Sequence, residues 1–265
     1  MITDKIKLIA AEPEEGAEPS LRSLWKEAFG DGDEFLDKFF EHAYSPKHCR
    51  CIADGNKIAA ALYWFDVSCG GKKWAYIYAV ATAKSHRGQG LCSFLMGDTH
   101  RRLADLGYAG AVLVPGEGGL FAFYEKLGYK VCANIDELSA AAANFSCALK
   151  RIDAQEYAAK RAELLPKNAA LQEGANIDFL ASYAEFYSGE GFLLAGYARN
   201  RYFFGVEFLG DAEKIPAALT SLGCDEGSFR GIFTGADYAA SKPFAMSVIF
   251  ARNAIPPSYF GLAFD

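Results

Sequence analysis

The residues with the clearest chemical potential in this chain are His86-Arg87-Gly88-Gln89-Gly90-Leu91-Cys92, set between a predicted strand and the start of a long predicted helix. Glycines at 88 and 90 let backbone N–H groups approach a ligand closely, and a helix N-terminus adds partial positive charge. Together they describe an anion cradle suited to a diphosphate, to which Arg87 adds a full charge. No Gly-Lys-Ser/Thr follows, so this is not a Walker loop. No Gly-x-Gly-x-x-Gly is present either, so it is not a dinucleotide fingerprint. A lone Gly-x-Gly is also compatible with a plain tight turn.

Other reactive side chains are more scattered. Cys92 stands at a helix N-terminus, where a thiol is activated, but the sequence places no histidine beside it. His86 and His100 are conceivable bases; His86 is expected to face solvent or phosphate, and His100 to fall on the polar side of its helix. His48, Cys49 and Cys51 suggest a metal site only superficially. Thiols two apart on a strand share a face, yet no second ligand pair appears, and no metal is expected. The seven cysteines contain no Cys-x-x-Cys pair and read as reduced, buried thiols.

The elements that must position the loop follow from hydrophobic period and turn residues. Lys5 to Ala11 is a short strand candidate; Leu21, Leu24, Trp25, Ala28 and Phe29 make one helix, and Glu34 to Ala43 a second. His48 to Ala53, Lys57 to Val67 and Trp74 to Val80 form a three-strand meander turned at Asp54-Gly55-Asn56 and Cys69-Gly70-Gly71. After the loop, Leu91, Phe94, Leu95, Leu103 and Leu106 line a helix that Gly107 ends, and Ala109 to Val114 is a buried-type strand. A further helix runs to about Leu127, and strands near Tyr129 to Ala133 and Phe145 to Ile152 follow. A strand–loop–helix–strand unit in an otherwise antiparallel sheet means an α/β or α+β mixed sheet, with the ligand loop at a strand's carboxyl end.

Beyond Ile152 the order partly repeats. Helices over Asp153 to Leu165 and Ile177 to Tyr187 precede a hairpin, Phe192 to Ala198 with Tyr202 to Leu209. A helix from Asp211 to Leu222 and a strand from Phe229 to Thr234 come next. Leu219-Thr220-Ser221-Leu222-Gly223 echoes Leu103-Ala104-Asp105-Leu106-Gly107, each before a strand. Two readings stand: an internal structural repeat, or an unrelated small α+β domain. The expected division is 1–150 and 151–265.

At 265 residues, 51% hydrophobic, the chain can bury a sizeable core. A net charge of −6 argues against nucleic acid as the main partner. No apolar run approaches the ~20 residues of a membrane helix, and the first residues lack a signal-peptide block, so no membrane partner and a cytoplasmic address are expected.

Val80-Ala81-Thr82-Ala83-Lys84-Ser85-His86-Arg87-Gly88-Gln89-Gly90 resembles the strand-to-helix segment of the GNAT acetyltransferases, with their Arg/Gln-x-x-Gly-x-Gly/Ala signature. Arg87 and Gly90 match it, and Cys92 stands where Gly or Ala is usual. Downstream, Val114-Pro115 and Phe123-Tyr124-Glu125-Lys126-Leu127-Gly128-Tyr129 look like the second hallmark, a Tyr-bearing helix before a strand. The resemblance covers residues 1–150. It implies a GNAT fold there, an acetyl-coenzyme A site at Val80, Ala81, Thr82, Arg87, Gly88, Gln89, Gly90, Leu91 and Cys92, and transfer of an acetyl or short acyl group to an amine. The Val80 N–H would polarise the thioester carbonyl, and Tyr124 would protonate the departing thiolate, although core packing alone would also suit a tyrosine there.

An amine with a pKa of ~10 must lose a proton before attack. The strand Trp74 to Val80 carries no carboxylate, which leaves Glu117 or the chain-terminal residue. Tyr259 to Asp265 is apolar and strand-like; an ordered edge strand would explain it. The whole chain also resembles bacterial two-domain GNAT proteins related to the enhanced-intracellular-survival acetyltransferases, and that resemblance implies a role for the Asp265 α-carboxylate. Residues 153–265 contain no second Arg-x-x-Gly-x-Gly; Gly210-Asp211-Ala212-Glu213 would repel a pyrophosphate. This half is expected to be a degenerate GNAT-like unit that walls the acceptor pocket with aromatics such as Phe186, Tyr187, Tyr197, Tyr202, Phe203 and Phe204. The acceptor would be a small-molecule or peptide amine. A non-catalytic acyl-coenzyme A-binding module is the alternative.

Overall fold

The computed structural model describes residues 9–116, 119–235 and 240–264. In chain order the strands are β1 (Ala10–Ala11), β2 (Cys49–Asp54), β3 (Lys57–Cys69), β4 (Lys72–Thr82), β5 (Gly110–Leu113), β6 (Lys130–Ala141), β7 (Leu149–Ile152), β8 (Leu171–Gln172), β9 (Glu185–Gly189), β10 (Phe192–Arg199), β11 (Tyr202–Asp211), β12 (Glu226–Thr234) and β13 (Ala240–Ile249). The helices are α1 (Glu18–Phe29), α2 (Asp33–His42), α3 (Leu91–Asp105), α4 (Leu120–Lys126), α5 (Ala154–Leu164), α6 (Ala175–Ala181) and α7 (Ile215–Ser221). Among the described residues no helix is long and apolar enough to cross a membrane.

All strands join one mixed sheet in the order β1-β2-β3-β4-β5-β13-β6-β12-β11-β10-β9-β7, with β8 added to β3. The expected α/β mixed sheet is present, and it runs unbroken through position 150. β13, from the second half of the sequence, is seated between β5 and β6, antiparallel to both. That strand does not follow from the local pattern. Pro243 removes an N–H from its middle, as a central strand rarely allows, and the pairing with β6 shifts register there.

Two crossovers share one plan. β4 and β5 are parallel neighbours connected through α3, and β11 and β12 are parallel neighbours connected through α7. Both helices close in the same way: Tyr108 N–H donates to Leu103 O and Cys224 N–H to Leu219 O, each at 3.0 Å. Gly107 and Gly223 supply the left-handed residue that this closure needs, with φ of 82° and 69°. The echo between the two five-residue segments is therefore a repeated structural device.

Apolar side chains collect on both faces of the sheet. One face carries Leu91, Leu95, Met96 and Leu103 of α3 with Ile77, Tyr124 and Tyr129. The other carries Trp25, Phe39, Tyr63, Phe65, Tyr76, Phe179 and the residues 259–264. A third cluster, around Phe203, Phe208 and Phe229, packs under α7.

Several expected elements differ: the strand expected over Phe145 to Ile152 begins only at Leu149, and the helix expected from Asp211 begins at Ile215 after a 3-10 turn over Ala212–Lys214. The helix over Ile177 to Tyr187 stops at Ala181, and Glu185–Gly189 forms β9 instead, drawn into a hairpin with β10. The strand near Tyr129 to Ala133 extends to Ala141, because β12 and β13 cover its two edges. Residues 259–264 are buried but form no strand; one parallel bridge, Ala169 to Tyr259, is their only ladder contact among the described residues.

Candidate functional site

The site is organised by a break in β4. Its pairing with β5 covers Ala75 with Ala111 and Tyr76 with Val112, and goes no further. From Ile77 to Thr82 the strand continues while β5 diverges, and no further β4–β5 ladder pair forms. On the other edge the pairing with β3 jumps from Tyr63–Tyr78 to Ala61–Ala81, leaving Ala79 and Val80 opposite Leu62 alone. This is a β-bulge, and Ala79 takes the left-handed conformation within it, φ 48°. The bulge changes which way the chain faces. Tyr76, Tyr78 and Ala79 pack towards Trp25 and Phe65, whereas Val80 turns to the side of Ile77, Leu91 and Tyr124.

The glycine loop follows at once. A short 3-10 turn over Lys84–His86 leads through Arg87 to Gly88 and Gly90, both left-handed with φ of 74° and 79°. Gly90 is the residue before α3, and its carbonyl accepts from Phe94 N–H at 3.0 Å. A Cβ on either glycine would touch nothing within 4 Å, so open space lies over the loop. Arg87 is exposed; its Nε donates to Thr82 O at 3.1 Å, bracing the loop against the end of β4. Gln89 Nε2 donates to Ser85 O at 3.2 Å. Leu91 is buried and anchors the first turn of α3.

His86 does not face the ligand side. Its Nε2 lies 3.1 Å from Asp54 Oδ2 and its Nδ1 2.8 Å from Ser85 Oγ, which fixes it to the β2 end. His100 is likewise not on a polar face. Its Nε2 lies 2.9 Å from the Tyr129 hydroxyl, its ring packs against Phe250, and burial holds its pKa down at about 4.

Tyr124 sits in α4, 8% exposed, between the rings of Phe123 and Tyr129 at 5.2 Å and 5.7 Å. Val80, Cys92 and Tyr124 therefore meet in one cluster although the sequence separates them by more than one element. Burial, and then the neighbouring Cys92 thiol, raise the Tyr124 hydroxyl above the usual phenol range. Burial also pushes the Cys92 thiol up to about 11, opposite to the activation its helix terminus suggests. Glu117 and Asp265 lie outside the described residues.

Residues 11–132 match the family described as Acetyltransferase (GNAT) domain. This stretch is a GNAT acetyltransferase domain. No curated protein matches the chain. Among solved structures it resembles a GCN5-related N-acetyltransferase from Anabaena variabilis, at TM-score 0.70 and 14% identity over 92% of this chain and 73% of that one. It also resembles one from Kribbella flavida, at 0.68 and 17% over 91% and 71%. Eis1 from Mycobacterium abscessus aligns at 0.63 and 11% over 92% and 73%. At these identities the likeness is one of fold, and it extends well past the GNAT domain into the second half.

Sequence reasoning missed what borders the GNAT domain on its opposite face. Phe264 N–H donates to the Tyr76 hydroxyl at 3.2 Å, and the Phe264 ring packs on Tyr78, Phe65 and Phe179 at 5.0–5.6 Å. Beyond it, a cavity of about 290 Å³ is lined by Glu137, Ser139, Tyr197, Phe204, Ser228 and Arg230, among others. Arg230 joins cavity and terminal segment: its Nε donates to Val206 O at 2.9 Å and one Nη to Ala263 O at 2.7 Å. The aromatic run Tyr202-Phe203-Phe204 and Tyr197 was the available signal. Of these, Tyr197 and Phe204 stack in the cavity wall at 5.2 Å, whereas Phe203 is core.

Proposed function

We propose that the protein transfers an acetyl or short acyl group from coenzyme A to a primary amine by direct attack in a ternary complex. The observation that carries this reading is the bulged end of β4 beyond its ladder with β5, which leads straight into the glycine loop and lies beside Tyr124. An extended, amide-rich arm such as pantetheine is the kind of ligand that completes an open strand edge. The chain fits that co-substrate at its other end too. Gly88, Gln89, Gly90, Leu91 and Cys92 offer backbone N–H groups at the start of α3, with open space above, and exposed Arg87 adds charge for a pyrophosphate. Val80, Ala81 and Thr82 would hold the arm.

The chemistry then needs little beyond position and polarisation. The amine attacks the thioester carbonyl, whose oxygen gains charge that the Val80 N–H stabilises. Collapse breaks the C–S bond and releases the thiolate. Tyr124, with its raised pKa, stays a neutral hydroxyl and serves as a hydrogen-bond donor to that sulfur. The amine proton leaves to a carboxylate at Asp265 or Glu117. Asp265 directly follows Phe264, whose ring and N–H lie against β4, and this favours it. The second half supplies the acceptor's walls, for which the cavity bordered by Tyr197, Phe204 and Glu137 is suited in size to a small amine.

The test is an acetyl-coenzyme A consumption screen across polyamine, aminoglycoside, amino-acid and peptide amines, read as thiol release and run beside Tyr124→Phe. Amine-dependent thiol release that falls in the variant supports the reading. Tight acetyl-coenzyme A binding with no transfer to any amine class would instead favour the non-catalytic binding module.

A further inference from the structure

The second half contains a buried ionic group that the chemistry above does not use. Glu207 in β11 is fully inaccessible and accepts four hydrogen bonds. They come from Tyr157 Oη at 2.6 Å, Arg161 Nε at 2.6 Å, Arg161 Nη2 at 2.9 Å and Tyr259 Oη at 3.0 Å. Arg161, itself 1% exposed, also reaches Ala170 O at 3.3 Å and Gln172 Oε1 at 3.4 Å. Desolvating such a pair costs several kcal/mol, and apolar packing of the same volume is often as stable. A buried ion pair of this kind is better explained by specificity of arrangement than by stability.

What it arranges is the segment 259–264. Tyr259 is held through its hydroxyl by Glu207, and through its carbonyl by Ala170 N–H at 2.9 Å. Gly261 packs directly over the pair: a Cβ there would lie 1.9 Å from Glu207 Oε1 and 2.2 Å from Tyr259 Oη. Gln172, 1% exposed, grips Leu262 from both sides of its amide side chain. Its Nε2 donates to Leu262 O at 2.6 Å and its Oε1 accepts from Leu262 N–H at 3.2 Å. Arg230 then takes Ala263 O, and Tyr76 takes Phe264 N–H. Side chains thus do for this segment what a neighbouring strand would do. Its last described ring arrives on Tyr76 and Tyr78, the strand that carries the bulge.

We infer that Glu207, Arg161 and Gln172 form a clamp that sets the terminal segment, and so the acceptor side of the acylation site, against β4. They are positioning residues for the transfer step, at least one residue removed from any reacting atom. The inference rests on the acyl-transfer reading, and it binds the second half of the chain to the chemistry of the first.

Gln172→Met tests it without creating a buried unpaired charge: it keeps the volume and removes both bonds to Leu262. With the amine found in the screen, kcat is expected to fall at least tenfold while the KM for acetyl-coenzyme A stays within twofold. Amide hydrogen exchange over residues 259–264 should be at least tenfold faster in the variant than in the wild type, at a temperature where both remain folded. Tyr259→Phe, which removes one donor to Glu207, should move both readouts the same way and less. Turnover within twofold of wild type in Gln172→Met, or unchanged hydrogen exchange over residues 259–264, overturns the clamp and leaves acyl transfer standing. A wild-type protein that neither binds acetyl-coenzyme A nor releases thiol overturns the acyl-transfer reading itself.

Discussion

Tyr124 and Cys92, thirty-two positions apart by their numbering, close on one another where α3 begins and α4 ends its turn towards β6, and the pair is dry enough that neither ionises near neutral pH. Burial is the larger cause for Tyr124, with the Cys92 thiol second, and burial alone raises Cys92. A phenol raised in this way is a poor proton source in advance of reaction, but it is a good donor to sulfur once charge develops there. Tyr124→Phe is expected to lower kcat about 100- to 1000-fold, the range for loss of one such donor, with the KM for acetyl-coenzyme A within a few-fold. The alkaline limb of the wild-type pH–rate profile should persist in the variant, because Tyr124 remains protonated throughout it. Initial-rate kinetics from pH 6 to 9.5 check both statements.

Cys92 tests the opposite idea, that a helix N-terminus makes it a nucleophile. With its thiol at about 11, well under one part in a hundred is thiolate at pH 7. Iodoacetamide should therefore modify Cys92 more slowly than a free cysteine, and Cys92→Ala should retain kcat within about threefold. Mass-spectrometric labelling rates and the variant's kinetics provide the measurement.

Much of the GNAT domain is legible in its sequence because each part has a local cause. Gly88 and Gly90 must be glycine for their left-handed backbone, and Leu91, Leu95 and Leu103 repeat at helical spacing. The bulge at Ala79 has no such signature: alanine has no preference for φ 48°, and the irregularity shows only in the register of β4 against β3. β13 is hidden for the same reason, since Pro243 argues against a strand that β5 and β6 nevertheless enforce from both sides. Glu207 lies in an apolar run, Phe203-Phe204-Gly205-Val206-Glu207-Phe208, and nothing local in the sequence gives its carboxylate a partner. Its partners come from two distant segments, Tyr157 and Arg161 one turn apart on α5 and Tyr259 near residue 260, and no local spacing ties either segment to Glu207.

Gly90→Ala places a Cβ on a residue at φ 79° and in the space above the loop. The left-handed conformation costs an alanine about 1 kcal/mol relative to glycine, which predicts a drop of a few degrees in Tm. If pyrophosphate occupies that space, the KM for acetyl-coenzyme A should rise about tenfold or more with a smaller change in kcat. Calorimetry and kinetics separate the two effects.

His100 gives a stability prediction with a definite sign. Its folded pKa of about 4 lies below the unfolded value of ~6.5, so the unfolded chain binds the extra proton first. Stability should rise with pH between about 4 and 6.5 on its account, be fully present above that window, and be lost as pH falls through it. The contribution is roughly 3 kcal/mol at most. In His100→Gln, the slope of unfolding free energy against pH should be shallower across this window. Urea titrations at pH 4.5, 5.5 and 6.5 measure it.

Ala79 allows the bulge to be separated from the residue that carries it. A left-handed alanine stores about 1 kcal/mol of strain, and glycine releases it at some cost in unfolded-state entropy. Ala79→Gly should thus change Tm by no more than a few degrees and keep kcat, since the Val80 N–H still turns towards Tyr124. A β-branched side chain disfavours the left-handed region far more strongly. In Ala79→Val the strand is expected to regain alternation, which would return Val80 to the Tyr76 face and withdraw its amide from the side of Tyr124. Turnover should then fall by about two orders of magnitude, the loss associated with removing one oxyanion donor. If Ala79→Val turned over like Ala79→Gly, the bulge would be a structural irregularity and the Val80 amide would have no part in the reaction.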